Sequence, residues 1–262
     1  MYLVEDNFNE AYLALADTLV NHPDYRTVNR KGERVYEILN ASFQVLDPRN
    51  CFATCREMSL KYLEGELYFY GSGSPRLYDI AQHAPFWENC TDDGWSVNSN
   101  YGKLLLHDVN ARNWTQYEYV LRTLAKNPNS KKAVAVIYRD FHAYPSNDNP
   151  CTMYLQFFIR ENRLHIFVKM RSSDIWFGLP YDVPFFTLIL CKLHKDLQAL
   201  GHKDLELGTY NHQSGSQHLY ERNLGKIQDM LDEDFREEPS VQKGLFDRFI
   251  LPYISETIDE RE

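Results

Sequence analysis

The 262-residue chain has no run of 18 apolar residues, so no membrane span is expected. Its opening residues, Met-Tyr-Leu-Val-Glu-Asp-Asn, lack the basic stretch and apolar core of a secretory signal. A cytoplasmic location is expected. Cysteine is scarce: Cys51, Cys55, Cys90, Cys151 and Cys191 make an odd set of five, which argues against a disulfide framework. Cys51 and Cys55 have no second pair and no histidine cluster nearby. They read as two partly buried thiols at the start of a helix, and no metal is expected. Basic residues are also short: 28 Lys and Arg against 37 Asp and Glu leave a net charge of −9. That balance disfavours nonspecific binding to nucleic acid. An anionic ligand would need its own local cluster of Arg and Lys. There is no internal repeat and no low-complexity linker, so a single domain over 1–262 is expected.

Apolar residues make up 44% of the chain and aromatics 14%, enough for a substantial core. Residues 7–20 place Phe8, Ala11, Tyr12, Leu15, Ala16 and Leu19 on one helical face. Residues 34–46 read as extended and end at Asp47-Pro48. Helices are expected at 51–67 and 110–124, with a loop at 71–75 between them. A buried-type strand is expected at 133–138. Two more follow at 154–159 and 163–170, joined by a hairpin at 160–162. Residues 183–200 form a largely buried helix. Residues 205–212 are extended, and 216–220 lie on or beside a strand. The pattern is α+β.

The densest chemistry lies between Cys151 and Asp182. A candidate nucleophile, Cys151, is followed by Arg171, which suits an anion, and then by the carboxylates Asp174 and Asp182. This stretch resembles the core of the thymidylate synthase superfamily. The same order continues elsewhere. Asn98-Ser-Asn-Tyr101-Gly102 resembles the family's Tyr-Gly motif in its hydroxymethylase form. Asn127-Pro-Asn-Ser130-Lys131-Lys132 resembles Pro-x-Ser-Arg-Arg, and Gly215-Ser-Gln-His218-Leu-Tyr220 resembles Gly-x-x-His-x-Tyr. Arg56-Glu57 resembles the segment with the catalytic glutamate, and Asn29-Arg30-Lys31-Gly32 the N-terminal phosphate loop. The matches span about residues 27–225.

The resemblance implies a fold and a set of roles. The fold is a thymidylate synthase-like α+β domain, with a twisted mixed sheet at a homodimer interface and helices on the other face. Cys151 is the nucleophile, and a thiolate adding to pyrimidine C6 makes C5 electron-rich. Arg30, Arg171, Lys131 and Lys132 grip a 5′-phosphate, with Ser172 as a further contact; the lysine pair comes from the partner subunit. The family has an arginine pair there, and lysine is a point charge without a planar fork. His218 and Tyr220 hold the sugar. Asp174, with Trp176 beside it, meets the pterin of 5,10-methylenetetrahydrofolate. Glu57 relays protons.

Asp182 stands where thymidylate synthases carry Asn. A protonated carboxylic acid accepts from the cytosine 4-amino group and donates to N3, whereas a carboxylate facing uracil O4 is repelled. The competing structural role for Asp182 is that of helix N-cap. The C-terminal Asp259-Glu-Arg-Glu262 is too acidic to close a dry site, and Leu60 stands near the place of a synthase tryptophan. Both features favour quenching by water over hydride. The expected activity is hydroxymethylation of C5 of a cytosine monophosphate, with dCMP favoured slightly over CMP. The partners are nucleotide, folate and a second subunit, without nucleic acid or membrane. Alternatives are dCMP methylation or dUMP hydroxymethylation on the same fold, and a non-catalytic nucleotide-binding homologue.

Overall fold

The computed structural model describes residues 1–29, 32–236 and 238–255. In chain order the elements begin with β1 (Tyr2–Glu5), α1 (Phe8–Asn21), β2 (Tyr25–Val28), β3 (Arg34–Val45), α2 (Leu60–Ser72), α3 (Leu77–Ala81) and α4 (Gln116–Lys126). They continue with β4 (Val134–Val136), β5 (Thr152–Arg160), β6 (Arg163–Asp174), α5 (Leu179–Ala199), β7 (Glu206–Tyr220), α6 (Leu224–Asp232), α7 (Pro239–Phe249) and α8 (Leu251–Ser255). They fall into two compact units, one of Met1–Met58 with Arg160–Glu262 and one of Ser59–Ile159.

The first unit is built on a mixed sheet. β3 pairs parallel with β1, antiparallel with β2 and antiparallel with β7, and β7 pairs parallel with β6. Helix α1 begins where the Asn7 side chain accepts from Glu10 N at 3.0 Å. The six apolar residues read from its periodicity are all buried. Its Phe8 ring stacks on Phe43 of β3, and Phe43 stacks in turn on His212 of β7, 4.9 Å between centroids. Along β6, Leu164, Ile166, Val168 and Met170 are buried, while Phe167 and Arg171 are exposed. β6 starts after Glu161 and Asn162, whose φ of 50° and 58° is the backbone of a two-residue hairpin turn.

β7 is one continuous strand of 15 residues. The sequence reads as two extended pieces because Gln213-Ser-Gly-Ser-Gln217 is polar. Strands on both sides satisfy that backbone, and Gly215 admits the neighbour: a Cβ there would meet Arg171 O at 2.8 Å. Helix α5 starts four residues earlier than its apolar run suggests.

In the second unit, α2 starts at Leu60, capped by the Ser59 side chain bonded to Tyr62 N at 3.2 Å. The helix expected from residue 51 is therefore corrected: 51–59 is irregular. Cys55 N donates to Asn9 Oδ1, and Phe52 exchanges two hydrogen bonds with Gln242, so tertiary partners replace helical ones inside the first unit. The helix expected over 110–124 runs instead from Gln116 to Lys126, after an Asn110 side-chain turn and a Thr115–Glu118 capping box. Residues Lys103–His107 form a π-helical turn, and β4 pairs antiparallel with β5.

Candidate functional site

In the first unit, the parallel register of β6 and β7 sets Ser172 beside Ser216 and Asp174 beside His218. His218 is buried, packs edge-on against Tyr220 at 5.1 Å, and its Nδ1 has no partner among the described residues. A buried ring nitrogen without a partner is costly unless a ligand satisfies it. Asp174 ends β6 in a side-chain turn: its Oδ1 accepts from Trp176 N at 2.7 Å and Phe177 N at 3.2 Å. Burial pushes its carboxyl up, against the opposing pull of His218, the two backbone donors and Arg222.

The segment between β6 and α5 is latched from below. Arg56 Nη1 donates to Trp176 O at 2.6 Å, and the guanidinium lies over the Trp176 ring. Tyr12 OH donates to Ile175 O at 2.8 Å. Glu57 is exposed on the irregular segment, with its carbonyl accepting from Arg56 Nε.

Gly178 is the residue that caps α5, and Asp182 lies inside the first turn, its N–H bonded to Gly178 O at 3.0 Å. The N-cap role considered for Asp182 is thereby excluded. Its carboxyl is half-buried and close to Gly178, where a Cβ would stand 3.4 Å from Oδ2. The free amide groups of a helix's first turn favour such a carboxylate. Arg171 is exposed and Ser172 half-buried. Arg30 lies outside the described residues, as does the acidic C-terminal segment.

In the second unit, Cys151 is a half-buried thiol, outside any disulfide, immediately before β5. Lys131 and Lys132 are exposed just after the turn that ends α4. Ser130 N bonds Asn127 O, Lys132 N bonds Ser130 Oγ, and Gln156 Nε2 bonds Lys131 O at 3.0 Å. Asp148, buried, receives Asn98 N and Ser99 N, which ties the residues before Cys151 to the motif containing Tyr101.

One feature of α2 escaped the sequence reading. Glu66 is buried, and burial pushes its carboxyl from an ordinary 4.5 to about 7, although the Tyr62 and Tyr70 hydroxyls pull the other way. Its signal was present: Tyr62-x3-Glu66-x3-Tyr70 puts one acid and two phenols on the apolar face of a helix. A carboxyl that titrates near neutrality suits general acid–base work. Among the described residues no group of His, Cys, Asp or Glu could hold a metal ion, and no helix is long and apolar enough to cross a membrane.

Residues 10–247 match the thymidylate synthase family. The chain is 30% identical over 204 residues to the deoxycytidylate 5-hydroxymethyltransferases of Enterobacteria phages T4, T2 and T6, covering 75% of this chain and 80% of each relative. Enzymes of this family bind a nucleotide and use methylenetetrahydrofolate as co-substrate. The chain belongs to the thymidylate synthase family.

Proposed function

We propose that the protein transfers a hydroxymethyl group to C5 of a cytosine monophosphate, dCMP ahead of CMP, and that residues 1–262 act as one catalytic domain in a cytoplasmic homodimer. The observation that carries the reading is Asp182, a half-buried carboxyl in the first turn of α5 at the position where a synthase has Asn. The likeness to deoxycytidylate hydroxymethyltransferases supports the same base.

Methylenetetrahydrofolate supplies the one-carbon unit. The chain's own residues suit it: Asp174 is a carboxyl fixed by two backbone donors beside the Trp176 ring, an acceptor and a flat surface for a pterin. The Cys151 thiolate adds to C6, and C5 then bonds the methylene carbon. The C5 proton leaves to a base, tetrahydrofolate departs, and water adds to the resulting exocyclic methylene. Loss of Cys151 from C6 restores the aromatic ring. Arg30, Arg171, Ser172, Lys131 and Lys132 hold the phosphate, the lysines from the partner subunit. His218 and Tyr220 hold the sugar, and the unpartnered His218 Nδ1 is available for that bond. Asp182 pairs with the 4-amino group and N3.

The acid–base role goes to Glu66 in place of Glu57, because Glu57 is exposed and Glu66 is buried with a carboxyl near neutral. The offset that gave Leu60 from Glu57 falls on Phe69 from Glu66, so a synthase-like tryptophan is still missing.

Incubation with methylenetetrahydrofolate and CMP, dCMP and dUMP, followed by product masses, tests the proposal. A gain of CH2O on a cytidylate is expected. A gain of CH2, or reaction with dUMP alone, contradicts it.

A further inference from the structure

Glu66 sits at the end of a hydrogen-bond chain contained in the second unit. Trp87 Nε1 donates to Tyr62 OH at 3.0 Å, and Tyr62 OH donates to Glu66 Oε1 at 2.7 Å. Tyr70 OH adds a longer bond to the same oxygen at 3.3 Å. All four side chains are buried. The direction of the chain follows from chemistry. An indole N–H donates and cannot accept, so Tyr62 oxygen must accept from Trp87. The one hydroxyl hydrogen of Tyr62 is then committed to Glu66.

Neighbouring parts hold this chain in place. Tyr101 stacks on Tyr70 at 5.5 Å. Asn100 fixes Tyr101 from behind, with Nδ2 bonded to Phe69 O and Ser74 O and Oδ1 bonded to Lys103 N. Gly102 is required there, since a Cβ would overlap Tyr70 O at 1.9 Å. Gly65, next to Glu66, leaves room for the His83 ring, which a Cβ would meet at 2.3 Å. Among the other ionisable groups near α2, the half-buried His83 ring faces Gly65 with its Nδ1 buried and unpartnered among the described residues, and the rest are engaged elsewhere or exposed. Asp79 bonds Ser74 and Arg76, Lys103 pairs with Asp108, and His107 bonds Gly71 O. Lys61, Glu64 and Glu88 are exposed.

We propose that Trp87 is a positioning residue for Glu66: its N–H commits the Tyr62 hydroxyl to Oε1 and leaves Oε2 as the oxygen that carries the transferable proton. This rests on the reading of Glu66 as the acid–base group. Oε1 accepts from two hydroxyls, so a proton placed on it would face two donors. The indole bond also makes the Tyr62 hydroxyl a better donor, because linked hydrogen bonds polarise one another.

The test follows the Glu66 carboxyl stretch by infrared difference titration of the ligand-free protein, with Glu66→Gln to assign the band. Removing a donor destabilises the carboxylate. Tyr62→Phe is expected to move the midpoint up by about one pH unit. Trp87→Phe is expected to move it up by a few tenths of a unit. In the Tyr62→Phe background, Trp87→Phe is expected to add nothing, because the chain is already cut. A Trp87→Phe shift of equal size in both backgrounds, or none in the wild-type background, overturns the proposal by reducing Trp87 to a packing residue. The kcat–pH profile separates the two layers. If the Glu66 midpoint moves and the matching limb of kcat moves with it, both stand. If the midpoint moves while the profile stays fixed, Glu66 is not the acid–base group, and Trp87 orders a carboxyl that catalysis does not use.

Discussion

The Arg56 guanidinium lies 3.5 Å from the centre of the Trp176 ring while its Nη1 bonds the Trp176 carbonyl. One side chain thus fixes both the backbone and the ring of the segment between Asp174 and Gly178. The two contacts together are worth about 2 kcal/mol. Arg56→Ala is expected to raise the KM for methylenetetrahydrofolate by about tenfold and to change the nucleotide KM much less. Steady-state kinetics with each substrate varied in turn checks this.

Glu66 and Glu57 give opposite expectations. Glu66→Gln removes a buried acid and is expected to lower kcat by about 10²- to 10⁴-fold. Glu57→Gln alters an exposed side chain and is expected to leave kcat within about twofold, because surface changes away from the chemistry cost little. Equal losses in the two variants would contradict the assignment.

The same carboxyl shapes stability. Glu66 titrates at about 7 in the folded protein against an ordinary 4.5, so the native state binds the proton more tightly than the unfolded chain. Its contribution is therefore most favourable below 4.5, falls as pH rises from 4.5 to about 7, and levels off above that. Relative to wild type, Glu66→Gln should become more stable across that window, by a total of about 3 kcal/mol. Urea unfolding at several pH values checks both the sign and the plateau.

The elements that the sequence disclosed are those whose periodicity matches their burial. Phe8, Ala11, Tyr12, Leu15, Ala16 and Leu19 announce α1 because one stripe faces one core. Cys51, Phe52, Ala53 and Cys55 look helical because they are apolar, yet Asn9 and Gln242 supply their backbone partners from distant parts of the chain. No local pattern encodes such partners. The order of motifs singled out Cys151, Arg171, Asp182 and His218. The role proposed for Glu66 is not legible in the motifs, because their order points to Glu57, beside Arg56. Burial, which distinguishes Glu66 from Glu57, becomes visible when α2 is seen to begin at Leu60.

If Lys131 and Lys132 serve the partner's site, two dead variants should rescue each other. Cys151→Ser lacks the nucleophile, and a Lys131→Ala, Lys132→Ala double variant lacks the phosphate grip. A mixed dimer has one site with wild-type Cys151 and wild-type lysines. Random mixing of equal amounts should restore about a quarter of wild-type activity, since half the dimers are mixed and each has one whole site. No rescue after confirmed subunit exchange would place the lysines in their own subunit's site.

The central claim is that Asp182 selects cytosine, and Asp182→Asn tests it most directly. The measurement is the ratio of kcat/KM for dCMP to that for dUMP, in wild type and variant. Asn offers one donor and one acceptor in the order that uracil needs, so the ratio is expected to fall by about 10³-fold or more and to favour dUMP. A variant that keeps its cytosine preference within a few-fold of wild type would contradict the account and move base recognition to another residue.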